Sequence, residues 1–295
     1  MTSRSRRWPY PLLAVLVLLA GFVAWNYRPR AEPPPVPGHG AVSTERAPWV
    51  VALASAADPP VKHCVGTLVA PSVVVTASHC VMNREPADLT VIAGRTDLRT
   101  RDGVEVPAAD LWEVPGAFDG NRLLGGLSGP VAAAPDLGMV LLAEPLAQPT
   151  LPLDTAGDAT PGAAAVFYGW RVDPADLPVL WQSPVVVLDD RECAAIARAV
   201  RLTFPVPVRH GYVYDRADYL CAAGTPAPGP GVPNPPYRPT DSGAPVVVSG
   251  RLAGVNAWGP DPDPATPNYH ARVATHAAEL QRLIDRASVT GRFTG

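Results

Sequence analysis

The chain has 295 residues and carries 24 lysines and arginines against 27 aspartates and glutamates, a net charge of −3. That balance lacks the broad positive field that nucleic-acid binding leaves in a sequence, so nucleic acid is set aside as a partner. The length allows one large domain or two small ones, and barrel proteins of about 200 to 250 residues often count as one.

The first 35 residues have their own pattern. Arg4, Arg6 and Arg7 precede an apolar run from Pro11 to Trp25, followed by Arg28, Arg30 and the prolines Pro33 to Pro35. No polar face recurs along the run, which argues against a buried amphipathic helix and for an export signal. At 15 residues it is shorter than the roughly 20 of a spanning helix, yet Tyr10 and Trp25 extend it as interfacial anchors. No small-x-small cleavage site follows. The expectation is a hydrophobic N-terminal helix that stays as a single-pass anchor, cytoplasmic at its arginine-rich end, with a cleaved signal peptide as the alternative. Either puts residues 36 onward outside the cytoplasm, membrane-anchored or secreted.

From Trp49 the chain reads as short apolar segments broken by proline and glycine: PWVVALAS, CVGTLVA, SVVVTAS, DLTVIAG, LGMVLLA, AAVFYGW, SPVVVL, APVVVSG and LAGVNAW. Valine-rich runs of this length between turn residues predict an all-β barrel or sandwich. Two stretches read as helices, Asp190 to Val200 and Val273 to Ala287. In the second, Val273, Ala277, Leu280 and Ile284 share one face while Glu279, Arg282 and Asp285 point away. Gly224 to Pro239 is too rich in proline and glycine for a strand and is expected to be a long surface loop. The four cysteines, Cys64, Cys80, Cys193 and Cys221, make an even set in an exported chain, for which disulfides are the default. No CxxC or HxxxH pair offers a compact zinc site, so no metal and no cofactor is expected.

A serine is a poor nucleophile unless a histidine takes its proton and a carboxylate holds that imidazole in the right tautomer. His79 at the end of one strand segment, Asp136 at the start of LGMVLL and Ser242 in DSGAP form such a set, each at the rim of a buried β segment. Singly, each is an ordinary strand-end or turn residue. Their value lies in the combination.

With these residues in place, the chain from about Val36 to Ser288 resembles the chymotrypsin-like (trypsin-type) serine proteases. CVGTLVAPSVVVTASHC resembles the family's C-x-G-T-L-I-x-P-x-x-V-L-T-A-A-H-C. PWVVAL resembles its first barrel strand, DLGMVLL its D-I-A-L-L-x-L, FYGWR its A-G-W-G and LCAAG its L-C-A-G. GVNAWG resembles G-V-V-S-W-G, and HARV its Y-T-R-V ending. The order His, Asp, Ser is that family's, whereas the GxSxG elbow of the α/β-hydrolases is missing around Ser242. The resemblance implies an all-β fold of two six-stranded antiparallel β-barrels, about 36–150 and 151–270, with a C-terminal helix at about 272–288. It implies disulfides Cys64–Cys80 and Cys193–Cys221, Ser242 as nucleophile, His79 as general base and Asp136 as orienting carboxylate. The oxyanion hole would use the N–H groups of Ser242 and Thr240. The chain is then expected to be an endopeptidase that acts as a monomer on polypeptides.

Three departures from the family pattern bear on activity. GDSGGP becomes TDSGAP, which puts a β-branched Thr240 after Pro239 at an oxyanion-hole position. Ala257 replaces a serine that supports the aspartate. The family's activating N-terminus pairs with the aspartate before the nucleophile, here Asp241, but the equivalent start reads Val36-Pro37-Gly38-His39 after Pro35, where no trypsin-like cut is expected. Either processing is unusual, or Asp241 has another partner such as Arg238, or the pocket does not form. A catalytically impaired homologue serving as an extracellular binding module is the alternative. The substrate pocket, read from Pro236, Ala257, Trp258, Gly259 and Asn268, has no acid at its base. Gly259 should leave its entrance open and Asn268 should fill part of its floor, so a small or apolar side chain is preferred.

Overall fold

The computed structural model describes residues 40–115, 135–170, 178–200, 214–224, 241–259 and 267–294. The N-terminal segment, Pro236, Arg238, Pro239 and Thr240 lie outside these residues, as does the proposed start at Val36. Among the described residues no helix is long and apolar enough to cross a membrane.

Six strands form a closed antiparallel barrel: β2 (Val50–Ser55), β3 (Lys62–Ala70), β4 (Val73–Thr76), β5 (Leu89–Ala93), β6 (Val104–Glu113) and β7 (Gly138–Leu142), in the order β2-β3-β4-β7-β6-β5. Six more form a second ring: β8 (Ala164–Trp170), β9 (Leu180–Val187), β10 (Tyr219–Gly224), β11 (Pro245–Val248), β12 (Arg251–Trp258) and β13 (Asn268–Arg272). Their order is β9-β10-β13-β12-β11-β8, and the β8–β9 pairing closes it. A two-residue strand, β1 (Gly40–Ala41), adds to β9.

The sequence pattern explains which strands are covered on both sides. Every residue of β4 and β7 is buried, as continuous apolar runs require. β6 instead alternates exposed and buried residues from Glu105 to Ala109 and carries one wet face. Register shifts at Leu53/Ala54, Leu68/Ala70 and Ala108/Asp110 bend the first barrel closed.

Two helices complete the fold, α1 (Asp190–Val200) and α2 (Val273–Thr290). On α2 the buried residues are Val273, Ala277, Leu280, Ile284 and Ala287, the predicted face extended by one turn. The helix ends at Gly291, whose φ of 67° suits the left-handed cap. Beyond it Phe293 is fully buried, and its N–H donates to Asp110 Oδ2 at 2.8 Å, tying the C-terminus to β6.

Candidate active site

The register of two strands brings His79 and Asp136 together. Thr76, the last residue of β4, pairs with Gly138, the first of β7. Continuing both chains outward puts the residues just after Thr76 across from those just before Gly138. The chain after β4 turns through a short 3-10 helix, Ser78–Cys80. A side chain at 138 would meet Val81 at 2.8 Å and the Ala77 carbonyl at 3.1 Å, so glycine there lets this turn close in. The Cys64–Cys80 disulfide pins the turn to β3.

Asp136, fully buried, accepts the His79 backbone N–H at 3.0 Å on Oδ1 and the ring Nδ1–H at 2.7 Å on Oδ2. The ring is thereby oriented with Nε2 as the basic nitrogen, the tautomer that a general base needs. Burial works against the imidazolium, yet the Asp136 charge and hydrogen bond outweigh it and hold the His79 pKa above 6.5. His79 also lines an open cavity of about 580 Å³ with Ser55, Met82, Arg84 and Asp88.

Ser242 sits in the turn before β11, and both barrels hold that turn. Val65 N–H of β3 donates to the Ser242 carbonyl at 2.8 Å, and Gly243 N–H donates to the Asn256 carbonyl of β12 at 2.8 Å. Asn256 Nδ2 donates to the Asp241 carbonyl at 3.1 Å. Gly243 has φ +82°, and a Cβ there would fall 2.1 Å from the Val65 carbonyl and 2.3 Å from Thr76 Oγ1. The Ser242 turn thus rests directly on the segment that leads into His79. Asp241 is buried with its carboxylate on Gly169 of β8, where a Cβ would come within 2.6 Å of Oδ1.

Around the expected pocket, Ala257 and Trp258 are buried, and Trp258 stacks on Tyr269 at 3.7 Å between centroids. Asn268 is buried too, and its Oδ1 occupies the space beside Gly259 that was expected to be open. Pro236 and Thr240, the other pocket and oxyanion positions, are not among the described residues. Both expected disulfides are formed, Cys64–Cys80 and Cys193–Cys221. The Cys64, His79 and Cys80 ligand atoms lie within 4.8 Å of one another, but disulfide bonding leaves neither sulfur as a thiolate for a metal.

Two neighbours escaped the sequence reading. Tyr219 of β10 is buried, and its phenol oxygen accepts the Asp136 backbone N–H; burial and then the Asp136 charge raise its pKa. Lys62 lies with Nζ 4.0 Å from Asp241 Oδ1. Neither has a local signature, since each partner is far away in sequence.

A family model described as Trypsin matches residues 36–284. A trypsin from Saccharopolyspora erythraea is 28% identical over 234 residues, covering 77% of this chain and 89% of its own. The crystal structure of a scabies mite inactivated protease paralogue aligns with a TM-score of 0.64 at 20% identity, over 84% of this chain and 97% of that one. A Vibrio cholerae protease, VesB, aligns at 0.63 and 20% identity, over 85% of this chain and 68% of its own. A protease and an inactivated paralogue share the architecture, so these structural likenesses speak to fold alone.

Proposed function

Because the chain belongs to the trypsin family, with its two β-barrels, disulfides and hydrolase relatives, we propose that it is an exported serine endopeptidase working through Ser242, His79 and Asp136. The observation that carries the reading is the His79–Asp136 pair: a fully buried carboxylate engaged by both the backbone and the ring of one histidine. In this reaction His79 Nε2 takes the Ser242 proton as Oγ attacks the peptide carbonyl. The same proton then passes to the leaving amine as the acyl-enzyme forms, and water repeats the steps in reverse. Asp136 keeps the imidazole oriented and stabilises its cation. The oxyanion is held by the Ser242 N–H and that of Thr240, each such donor being worth about 2.7 to 4 kcal/mol in the transition state.

The preferred side chain is small or apolar, because Asn268 takes space beside Gly259 and no acid stands between Gly224 and Thr240. Cleavage specific for arginine refutes that preference. The N-terminal run and its arginines support export with a retained membrane anchor, and the domain acts as a monomer on polypeptides.

A second reading, an impaired homologue that binds without cutting, draws on the buried Ala257 where the family places a serine. One experiment separates the two. An organophosphonate probe should label the folded protein, and Ser242→Ala, unlike Ser→Ala at Ser249, should abolish labelling. Folded protein that takes no label is the binding module.

A further inference from the structure

Asp241 poses an electrostatic problem. A carboxylate removed from water costs several kcal/mol unless a counter-charge goes with it, and this one is backed by Gly169 on the β8 side. β3 touches the Ser242 turn at two points. Val65 N–H donates to the Ser242 carbonyl, and three residues earlier Lys62 brings Nζ to 4.0 Å from Asp241 Oδ1. Both side chains of this ion pair are buried, at 5% and 4% exposure. Lys62 is also the only lysine in the chain, beside 23 arginines. A compact ammonium on a flexible stem fits a narrow corner that a planar guanidinium fills less readily.

We propose that Lys62 is the resident counter-charge of Asp241 and, through it, a positioning residue for the turn that presents Ser242 in the uncut chain. The charge that fixes the turn is then built into β3 and does not await a new chain terminus. The proposal rests on Ser242 being the nucleophile only for its effect on catalysis; the charge pair stands without it. Lys62 is set at a pKa of about 8, because burial disfavours the ammonium more than Asp241 favours it. The adjacent His63 is pushed down to about 4, first by burial, then by Arg84 and, more weakly, by Lys62 itself, so near neutral pH it adds no second cation to this corner. As pH rises through 8 the Lys62 ammonium is lost, and with it this counter-charge.

A single lysine makes a direct test possible in the full chain. With lysine labelled by ¹⁵N at Nζ, the one side-chain resonance should titrate near pH 8, and Asp241→Asn should move that midpoint lower because the attraction is gone. A midpoint at the ordinary 10.5, or one that Asp241→Asn leaves in place, overturns the pair. In parallel, phosphonate labelling of Ser242 should slow at least tenfold in Lys62→Met. It should recover in part in Lys62→Arg, and the arginine variant, unlike wild type, should keep its labelling rate from pH 8 to 10. Lys62→Met labelled as fast as wild type overturns the positioning role. If Lys62→Met does not fold, Lys62→Arg and Asp241→Asn carry the test. Wild type that takes no label while the titration still depends on Asp241 removes the hydrolase reading and upholds the charge pair.

Discussion

Asn268 Oδ1 lies 1.9 Å from the point a Cβ on Gly259 would occupy, with Asn268 itself buried. The amide thus fills the space beside Gly259, just after β12, in the pocket proposed for a substrate side chain. Asn268→Gly should therefore deepen the pocket. In an apolar pocket one methylene is worth about 1 to 3 kcal/mol, or 10- to 200-fold in kcat/KM. The variant should gain about tenfold for a leucine-sized side chain over an alanine-sized one, read with a matched series of peptide substrates. A ratio that does not move places the pocket elsewhere.

The pH dependence of activity and that of stability should run in opposite directions at His79. Its pKa lies above 6.5 because Asp136 outweighs burial. A general base acts only when neutral, so kcat/KM should rise with pH through a midpoint above 6.5. Stability has the reverse sign. A raised folded-state pKa adds stability that is complete below the unfolded value and is lost as pH climbs through the folded one. Asp136→Asn removes the charge that raises the pKa, so the acid limb should shift down, while kcat falls on the order of 10⁴-fold. A pH–rate profile and urea melts of wild type and His79→Gln at pH 5.5 and 8 check both signs. An acid limb unmoved by Asp136→Asn defeats the assignment.

The strands that read clearly in the sequence are those with both faces buried, because VVVT and GMVLL leave no ambiguity of face. β6 went unread for the opposite reason: VEVPAADLWE has a proline, three acids and one wet face, so its apolar residues never form a run. β13, NYHAR, hides a strand under polar letters, and its His270 is fully buried, where loss of hydration lowers its pKa to about 3. The His79–Asp136 contact was legible because each residue abuts a recognisable strand. The Lys62–Asp241 pair was not, since 179 residues separate them and only the meeting of β3 with the Ser242 turn brings them together.

Gly243 should tolerate nothing larger. Its φ of +82° strains any residue with a Cβ, and that Cβ would fall 2.1 Å from the Val65 carbonyl, which as backbone has little room to retreat. Backbone strain of about 1 to 3 kcal/mol adds to a similar overpacking cost. Gly243→Ala should lower Tm by roughly 10 °C and abolish phosphonate labelling, because the turn can no longer lie against Thr76 and Ala77. Calorimetry and labelling of the same preparation decide it, and a variant with wild-type Tm contradicts the packing described.

Tyr219 bears on His79 through Asp136. Its phenol oxygen takes the Asp136 N–H, a support that reaches the carboxylate residue from the second barrel, while Ala257 supplies no hydroxyl. Tyr219→Phe keeps the buried ring, including its edge-on packing against Trp258 at 6.4 Å, and removes only the acceptor. A buried N–H left without a partner costs about 1 to 3 kcal/mol, so Tm should drop by roughly 2 to 10 °C. The loosened Asp136 backbone should also misplace the His79 ring, which lowers kcat while KM stays, since nothing that touches the ground-state substrate has changed. Steady-state kinetics beside thermal melts read both effects. A Phe variant equal to wild type in kcat shows that Asp136 is held by His79 and its own strand alone.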